Sequence, residues 1–224
     1  MNLAEEYILS QKYDDHFLIV ADEQTDGRGR KGNQWLSPKG GLYFNIGLKH
    51  ISQKSSFTLY IGVSILNALN YMSNSVDFKI KWPNDIYLKD YKVGGLICSQ
   101  YTKNCFTSIG IGINTNSEIN YANMSYKVNS IKNILDITTS NEVYLNTIIN
   151  FILERINDFE VYGYNLIKDT YFSHDYLKEK YIKIISGENI YNGKYNGIGE
   201  DGSLQLINNQ IHLINIHSGT VEIL

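Results

Sequence analysis

The sequence predicts an α+β fold: strands and helices intermingled over residues 1–176, then a small all-β module over residues 177–224. Two observations carry this. Apolar residues at helical spacing ("SSFTLYIGVSILNALNYM", "SNEVYLNTIINFILERINDF") interleave with short runs of strand character ("FLIVAD", "GLYFNIGL", "FKIKW"). From about Lys180 the texture changes to short strands cut by Gly, Asp-Gly and Asn-Asn turns, which suggests a small barrel.

The elements follow in order. Asn2 to Gln11 reads as a short amphipathic helix, with Asn2 and Glu5 at the spacing of a capping box. Phe17–Asp22 is a buried strand, and a glycine-rich loop follows it. In "GLYFNIGL", Leu42, Phe44, Ile46 and Leu48 share one face. Ser55 or Ser56 opens the long helix. "FKIKW" is a strand, "WPND" a turn, and "DIYLKDYKVGGLICSQY" a hairpin turning across Asp90–Tyr91. "CFTSIGIGINT" is the next strand, and the polar stretch Asn116 to Asn129 reads as loop. Thr139 and Glu142 form a second capping box ahead of one long helix, and a shorter helical stretch covers Asn165–His174. "YIKIIS", "IYNGKYNGIG", "SLQLI", "QIHLINI" and "TVEIL" supply the strands of the last module.

Composition narrows the function. Lys and Arg number 20 against 23 Asp and Glu, a net charge of −3. That balance argues against a general nucleic-acid binder, which carries a basic field. Two cysteines, Cys98 and Cys105, cannot staple a chain of 224 residues and read as reduced core residues. The start "MNLAEEYILSQK" is acidic and lacks an apolar signal region, and no apolar run is long enough to span a bilayer. The expectation is a soluble, cytoplasmic protein with no membrane partner. His16, His50, His174, His212 and His217 show no ligand spacing, and no GxSxG, HExxH or paired CxxC occurs.

Three segments stand out. In "GRGRKGNQW", Gly27, Gly29 and Gly32 let backbone N–H groups approach a ligand, Arg28 and Arg30 supply forks suited to carboxylate or phosphate, and Trp35 offers a flat face. A solvated flexible loop has the same composition. In "KIKWPND", Phe78, Ile80 and Trp82 point one way and Lys79 and Lys81 the other, and Pro83 presets a turn. Taken alone, Lys81 reads as an exposed lysine beside that turn. In "SIGIGINTN", Gly110, Gly112 and Asn114 share the face opposite Ile109, Ile111 and Ile113. A face without side chains invites a ligand or the close packing of another element.

Together these residues resemble the biotin–protein ligase family. "GRGRKGNQW" is similar to its biotin loop, "KWPND" to its characteristic pentapeptide, and "GGLYF", "KVGGLI" and "GIGIN" follow in the family's order. The resemblance covers nearly the whole chain, down to "IHSGTVEIL". It implies a mixed sheet backed by helices, of the class II synthetase type, over residues 1–176. A C-terminal SH3-like barrel would follow over 177–224. It implies that biotin and ATP, with magnesium, form biotinyl-5′-adenylate and pyrophosphate. The acyl group then passes to one lysine of a biotin carboxyl carrier domain of a carboxylase. Carried over by position, Lys81, Arg28 and Arg30 are the catalytic residues. Gln24, Gly27, Arg28, Gly29 and Gly95 face biotin, Arg30 the adenylate linkage, and Lys81 bridges biotin's carboxylate and the phosphate. Asp85, Lys92, Gly110 and Gly112 serve the nucleotide, and Trp35 and Asn114 border its adenine. A protein-held metal site stays unassigned.

Two departures from the family pattern stand in the sequence. Asp26 occurs where a small residue is usual and Asn33 where arginine is common, and both lower the loop's positive charge. At the start, Asn2 aligns with the asparagine of a Ser-Thr-Asn stretch, with Met1 in the threonine position. Some relatives carry an N-terminal DNA-binding domain; the resemblance implies here a ligase without one, binding no nucleic acid, as monomer or homodimer. A lipoate or octanoate acyltransferase and a non-catalytic biotin-binding protein are the competing readings.

Overall fold

The computed structural model describes residues 2–10, 15–49, 54–73, 76–118 and 127–224, with Asn2 by its backbone alone. The capping-box reading of Asn2, the position of Met1, the reading of His50 and part of the 116–129 loop lie outside the described residues.

The chain opens with helix α1 (Asn2–Leu9) and strand β1 (Phe17–Ala21), and β2 (Leu42–Lys49) follows the glycine-rich loop. Helix α2 (Phe57–Met72) leads to β3 (Phe78–Lys81), β4 (Asp85–Leu88), β5 (Tyr91–Tyr101) and β6 (Phe106–Ile113). These six strands form one sheet in the order β1-β2-β6-β5-β4-β3. Every ladder in it is antiparallel. Among the described residues, parallel pairing is confined to the isolated bridges Ile80–Asp175 and Lys92–Val128.

Helices α3 (Ile131–Leu135), α4 (Asn141–Glu154), α5 (Ile156–Tyr162) and α6 (Lys168–Ser173) come next. The expected single helix is broken at Arg155, which closes α4 and opens α5. Tyr144, Ile148, Ile152, Ile156 and Phe159 are buried on both sides of the break. The apolar period therefore runs through it and hides it from the sequence. The cap of α4 is also one residue later than expected. Ser140 Oγ accepts from Glu142 N at 3.2 Å, while Thr139 gives its carbonyl to Asn116 Nδ2 at 2.8 Å. Ser56 caps α2 without a side-chain bond, and the neighbouring Ser55 Oγ donates to Asp201 O.

The last module holds β7 (Tyr181–Ser186), β8 (Asn189–Ile198), β9 (Leu204–Ile207), β10 (Leu213–Ile216) and β11 (Thr220–Ile223). They form an antiparallel sheet in the order β10-β9-β8-β7-β11, open between β10 and β11. The expected barrel is therefore not closed: β8 shifts register against β9 between Tyr195 and Ile198, and β10 and β11 remain edges.

One apolar cluster joins both parts. It includes Ile61 and Leu66 of α2, Ile80 and Trp82, Ile111 of β6, and Ile182, Ile184, Leu204 and Leu206 of the last module. Cys98 packs against this cluster, but Cys105 is exposed, with φ 55°, after the 3₁₀ turn that joins β5 to β6. Cys105 is not the core residue its apolar neighbours suggested. Among the described residues, no helix is long and apolar enough to cross a membrane.

The joint between the two parts is polar at one buried point. Asp175, 5% exposed, accepts from Leu177 N at 2.9 Å and from the Tyr195 hydroxyl. Burial pushes its carboxyl up to about 6, against the pull of the Tyr195 bond. A carboxyl raised in the folded state contributes stability that is full below pH 4 and lost as pH rises through about 6. Asp175→Asn, which fixes the neutral form, is expected to flatten that fall, worth roughly 2–3 kcal/mol. Urea unfolding of both proteins at several pH values checks it; an unchanged slope refutes it.

Candidate active site

The glycine-rich loop is a folded hairpin. Antiparallel bridges join Gln24 to Ser37 and Arg28 to Gln34. Trp35 N donates to Gly27 O at 2.8 Å, Gly29 N to Asn33 O at 2.6 Å, and Ser37 Oγ to Gln24 Oε1 at 2.7 Å. A Cβ on Gly27 would stand 2.3 Å from Trp35 O, so only glycine lets the two strands of the loop approach.

The loop lays Trp35 onto the sheet. Gly95 of β5 and Gly112 of β6 are paired in register. A Cβ at Gly112 would meet Trp35 Nε1 at 2.6 Å, and one at Gly95 would meet its Cζ3 at 3.5 Å. The side-chain-free face of β6 is thus the floor on which the indole rests, which is the packing alternative left open by the sequence. Lys92 Nζ lies 5.3 Å from the indole centroid, within cation–π range. Trp35 Nε1 is buried and without a hydrogen-bond partner.

Around this floor opens a cleft of about 420 Å³, a volume typical of small-molecule sites. Gln24, Arg28, Gly29, Arg30 and Trp35 line it from the loop, and Lys81 and Asp85 from the β3–β4 turn. Lys92, Gly95, Gly110 and Gly112 line it from β5 and β6. Of the residues given site roles by the resemblance, Gly27 and Asn114 are not on its wall, and neither is Gly32 of the loop. Gly27 is buried under the loop. Asn114 is 1% exposed, with Nδ2 donating to Asn129 O at 3.4 Å and Oδ1 unpartnered.

The cationic groups are held in different ways. Lys81 is not the exposed lysine its turn suggested: it faces Asp85 across the β3–β4 ladder, and its Nζ donates to Val221 O of β11 at 2.9 Å. Burial lowers its pKa, aided by Lys92 and Lys180 and opposed by Asp85 and Glu222. Asp85 is itself engaged by Lys92 at 2.7 Å, with exposures of 22% and 13%, a largely desolvated pair. Arg30 Nη1 donates to Asn84 Oδ1 at 3.2 Å, and burial lowers its pKa against the pull of Asp85. Arg28 forks onto one oxygen of Asp26 at 3.1 and 3.3 Å in an exposed pair. Asp26 therefore occupies Arg28 in this state.

The sequence reading missed three contributors. Asn84 was read as a turn residue, yet it carries Arg30 and donates to Leu96 O at 2.8 Å. Tyr87 lines the cleft and is 6% exposed. Gly219, Thr220, Val221 and Glu222 bring the last module to the cleft wall. The spacing of Tyr87, two residues from Asp85 on one strand, was a usable signal. Val221 acts through a backbone carbonyl, which no side-chain pattern announces. His174 and His217 have local partners, Thr170 and Asp201, and His16 Nδ1 accepts from Lys49 N.

The family model described as "Biotin/lipoate A/B protein ligase family" matches residues 1–116. The chain belongs to this family. Biotin–protein ligase 2 of Arabidopsis thaliana is 35% identical over 110 residues, 45% of this chain and 33% of that protein. The bifunctional ligase/repressor BirA of Bacillus subtilis is 26% identical over 217 residues, 92% of this chain and 66% of that protein. The chain thus spans about a third of its plant relative and about two thirds of its bacterial one. Among solved structures, the biotin protein ligase of Aquifex aeolicus in complex with biotin and ATP matches with a TM-score of 0.84 at 27% identity. That match covers 96% of this chain and 92% of the other, so the family's architecture includes the last module.

Proposed function

We propose that this chain is a biotin–protein ligase, activating biotin with ATP and passing it to one lysine of a biotin carboxyl carrier domain. The observation that carries the reading is the convergence of Lys81, Arg30 and Arg28 on one cleft floored by Trp35 and the Gly95–Gly112 pair. A solved relative holds biotin and ATP on the same fold.

The chemistry explains the charges. A carboxylate oxygen of biotin bonds to the α-phosphorus of ATP as the bond to the bridging oxygen breaks, and pyrophosphate leaves. Both reactants are anions, so fixed cations in a partly dry cleft lower the barrier. Lys81 sits between the loop and β11 and meets the reacting carboxylate and phosphate. Arg30 meets the mixed anhydride. Arg28, on leaving Asp26, meets the biotin side along with Gln24 and Gly29. Trp35 and Lys92 border the nucleotide. Magnesium enters with ATP on the phosphates; among the described residues no group of three or more His, Cys, Asp and Glu is placed to hold an ion. In the second step the carrier's lysine amine attacks the acyl carbon, AMP leaves, and the amine gives up a proton. Residues 1–176 serve as the catalytic domain, and residues 177–224 as a module that closes the cleft.

The test is direct. Incubate the protein with ATP, magnesium and labelled biotin, with and without a carrier domain, and repeat with lipoate. Biotin-dependent pyrophosphate release and carrier labelling support the reading. Turnover with lipoate alone assigns the other branch of the family, and binding without turnover makes it a biotin-binding protein.

Arg30→Gly is expected to release adenylate more than it slows its synthesis, since one linkage contact goes while Lys81 remains. The freed anhydride labels bystander amines. Biotin on albumin measures the effect, and no increase over wild type, with carrier labelling intact, counts against this role.

A further inference from the structure

Lys81 is a half-buried cation whose carboxylate neighbour is already engaged. Asp85 Oδ1 is held by Lys92 at 2.7 Å, and the hydrogen bond formed by Lys81 Nζ goes to the neutral carbonyl of Val221. On the other side of the ammonium lies an aromatic stack. Tyr87 stands diagonal to Lys81 on the same face of the β3–β4 ladder, where Lys79 pairs with Tyr87 and Lys81 with Asp85. Lys81 Nζ is 5.7 Å from the Tyr87 ring centroid. Tyr87 stacks on Tyr176 with centroids 4.2 Å apart and planes 21° from parallel. Lys180 Nζ closes the far end, 3.7 Å from the Tyr176 ring.

We propose that Tyr87 is a positioning residue for Lys81, its ring fixed by Tyr176 so that the ammonium keeps its charge and place in the cleft. The proposal rests on the reading of Lys81 as the charge donor of adenylate formation.

The physical reason is the ring's quadrupole. An aromatic face attracts a cation without adding a formal negative charge. A carboxylate in that place would repel the incoming carboxylate and triphosphate; a tyrosine ring does not. The stack has a second end. Lys180, held by its own backbone bonds to Leu177 and Tyr195, presses its charge on the Tyr176 ring. The groups facing Lys81 are thus Asp85 and Tyr87 on β4, Lys92 on β5, Lys180 ahead of β7, and Glu222 on β11. Asp90 meets the stack at Tyr176, whose hydroxyl donates to it at 3.4 Å.

Two substitutions are expected to move Lys81 in opposite directions. Tyr87→Leu removes the attractive face, so the ammonium loses its proton at lower pH. Lys180→Met removes a like charge, so it loses its proton at higher pH. Tyr87→Phe keeps the face and restores wild-type behaviour. The first readout is the alkaline limb of biotin-dependent pyrophosphate release, with kcat and KM separated. Tyr87→Leu is expected to lower kcat roughly 2- to 30-fold, the range of a cation–π contact.

The second readout is the lysine ¹³Cε titration of the free protein by NMR, with Lys81 assigned through Lys81→Arg. It needs no activity, so it separates the fate of this proposal from that of the ligase reading. If wild type makes no pyrophosphate, the ligase reading falls while the NMR titration still judges the stack. A Lys81 titration that moves up in Tyr87→Leu means that the ring only excludes water, and overturns the proposal. So does Tyr87→Phe behaving like Tyr87→Leu. Tyr87→Met, which also lacks the aromatic face, stands in if Tyr87→Leu does not fold, and a Lys81 titration that stays put or moves up in it overturns the proposal.

Discussion

Lys81→Ala is expected to form biotinyl-adenylate about 10²- to 10³-fold more slowly than wild type, the usual cost of one preorganised donor to developing charge. Three features set this expectation. The lysine is desolvated enough for burial to lower its pKa, its Nζ is anchored at 2.9 Å to Val221 O, and it lines the cleft beside Arg30. The substitution leaves the neighbouring Asp85–Lys92 ion pair in place, so the fold is expected to hold. Pyrophosphate release with biotin, alongside a urea midpoint close to that of wild type, checks the assignment. Near wild-type release from the variant removes Lys81 from the chemistry.

The largest structural effect is expected at the next residue. Trp82 is 2% exposed, belongs to the shared apolar cluster, and donates from Nε1 to Gly202 O at 3.0 Å. Trp82→Ala is expected to cost about 3–5 kcal/mol, because the cavity opens where both parts of the molecule meet. Against a total stability of roughly 5–15 kcal/mol, that brings the protein to the edge of unfolding. Trp82→Phe keeps most of the volume and leaves Gly202 O unpaired, at about 1–3 kcal/mol. Equilibrium urea unfolding measures both. A Trp82→Ala loss below that of Trp82→Phe shows that the ring is not what joins the two parts.

Much of this site was legible because its signals are local. The alternation of Phe78, Ile80 and Trp82 against Lys79 and Lys81 matches the observed burial, and Gly112 does face a close neighbour while Gly110 lines the cleft. Strand β3 and the long helix α2 also follow their apolar periods, whereas β1, expected to be a buried strand, is a sheet edge with Leu18 and Val20 exposed. What escaped the sequence depends on contacts between distant segments or on backbone groups. The break at Arg155 lies under an unbroken apolar stripe. Helix α3 rests on Ser130 Oγ accepting from Asn133 N, a cap without the three-residue acidic partner that advertises one. The open edge of the last sheet, and its carbonyl at Lys81, follow from strand order, which periodicity does not encode. Asn114 carries the right chemistry for a base edge, yet its end of β6 is packed against Asn129.

The bond between Lys81 and Val221 spans 140 residues of chain. The β3–β4–β5–β6 meander joins neighbours in sequence and closes short loops, whereas the anchor of Lys81 closes a very long one. In time, then, the cleft is expected to assemble in two stages: its floor and loop early, and its lysine only when β11 docks. During synthesis a ribosome-bound chain carries the glycine floor and both loop arginines well before β11 has left the tunnel. Activity is therefore expected to be the last property regained on refolding: pyrophosphate release would time the docking of β11, while fluorescence of Trp35 in a Trp82→Phe background would time the floor.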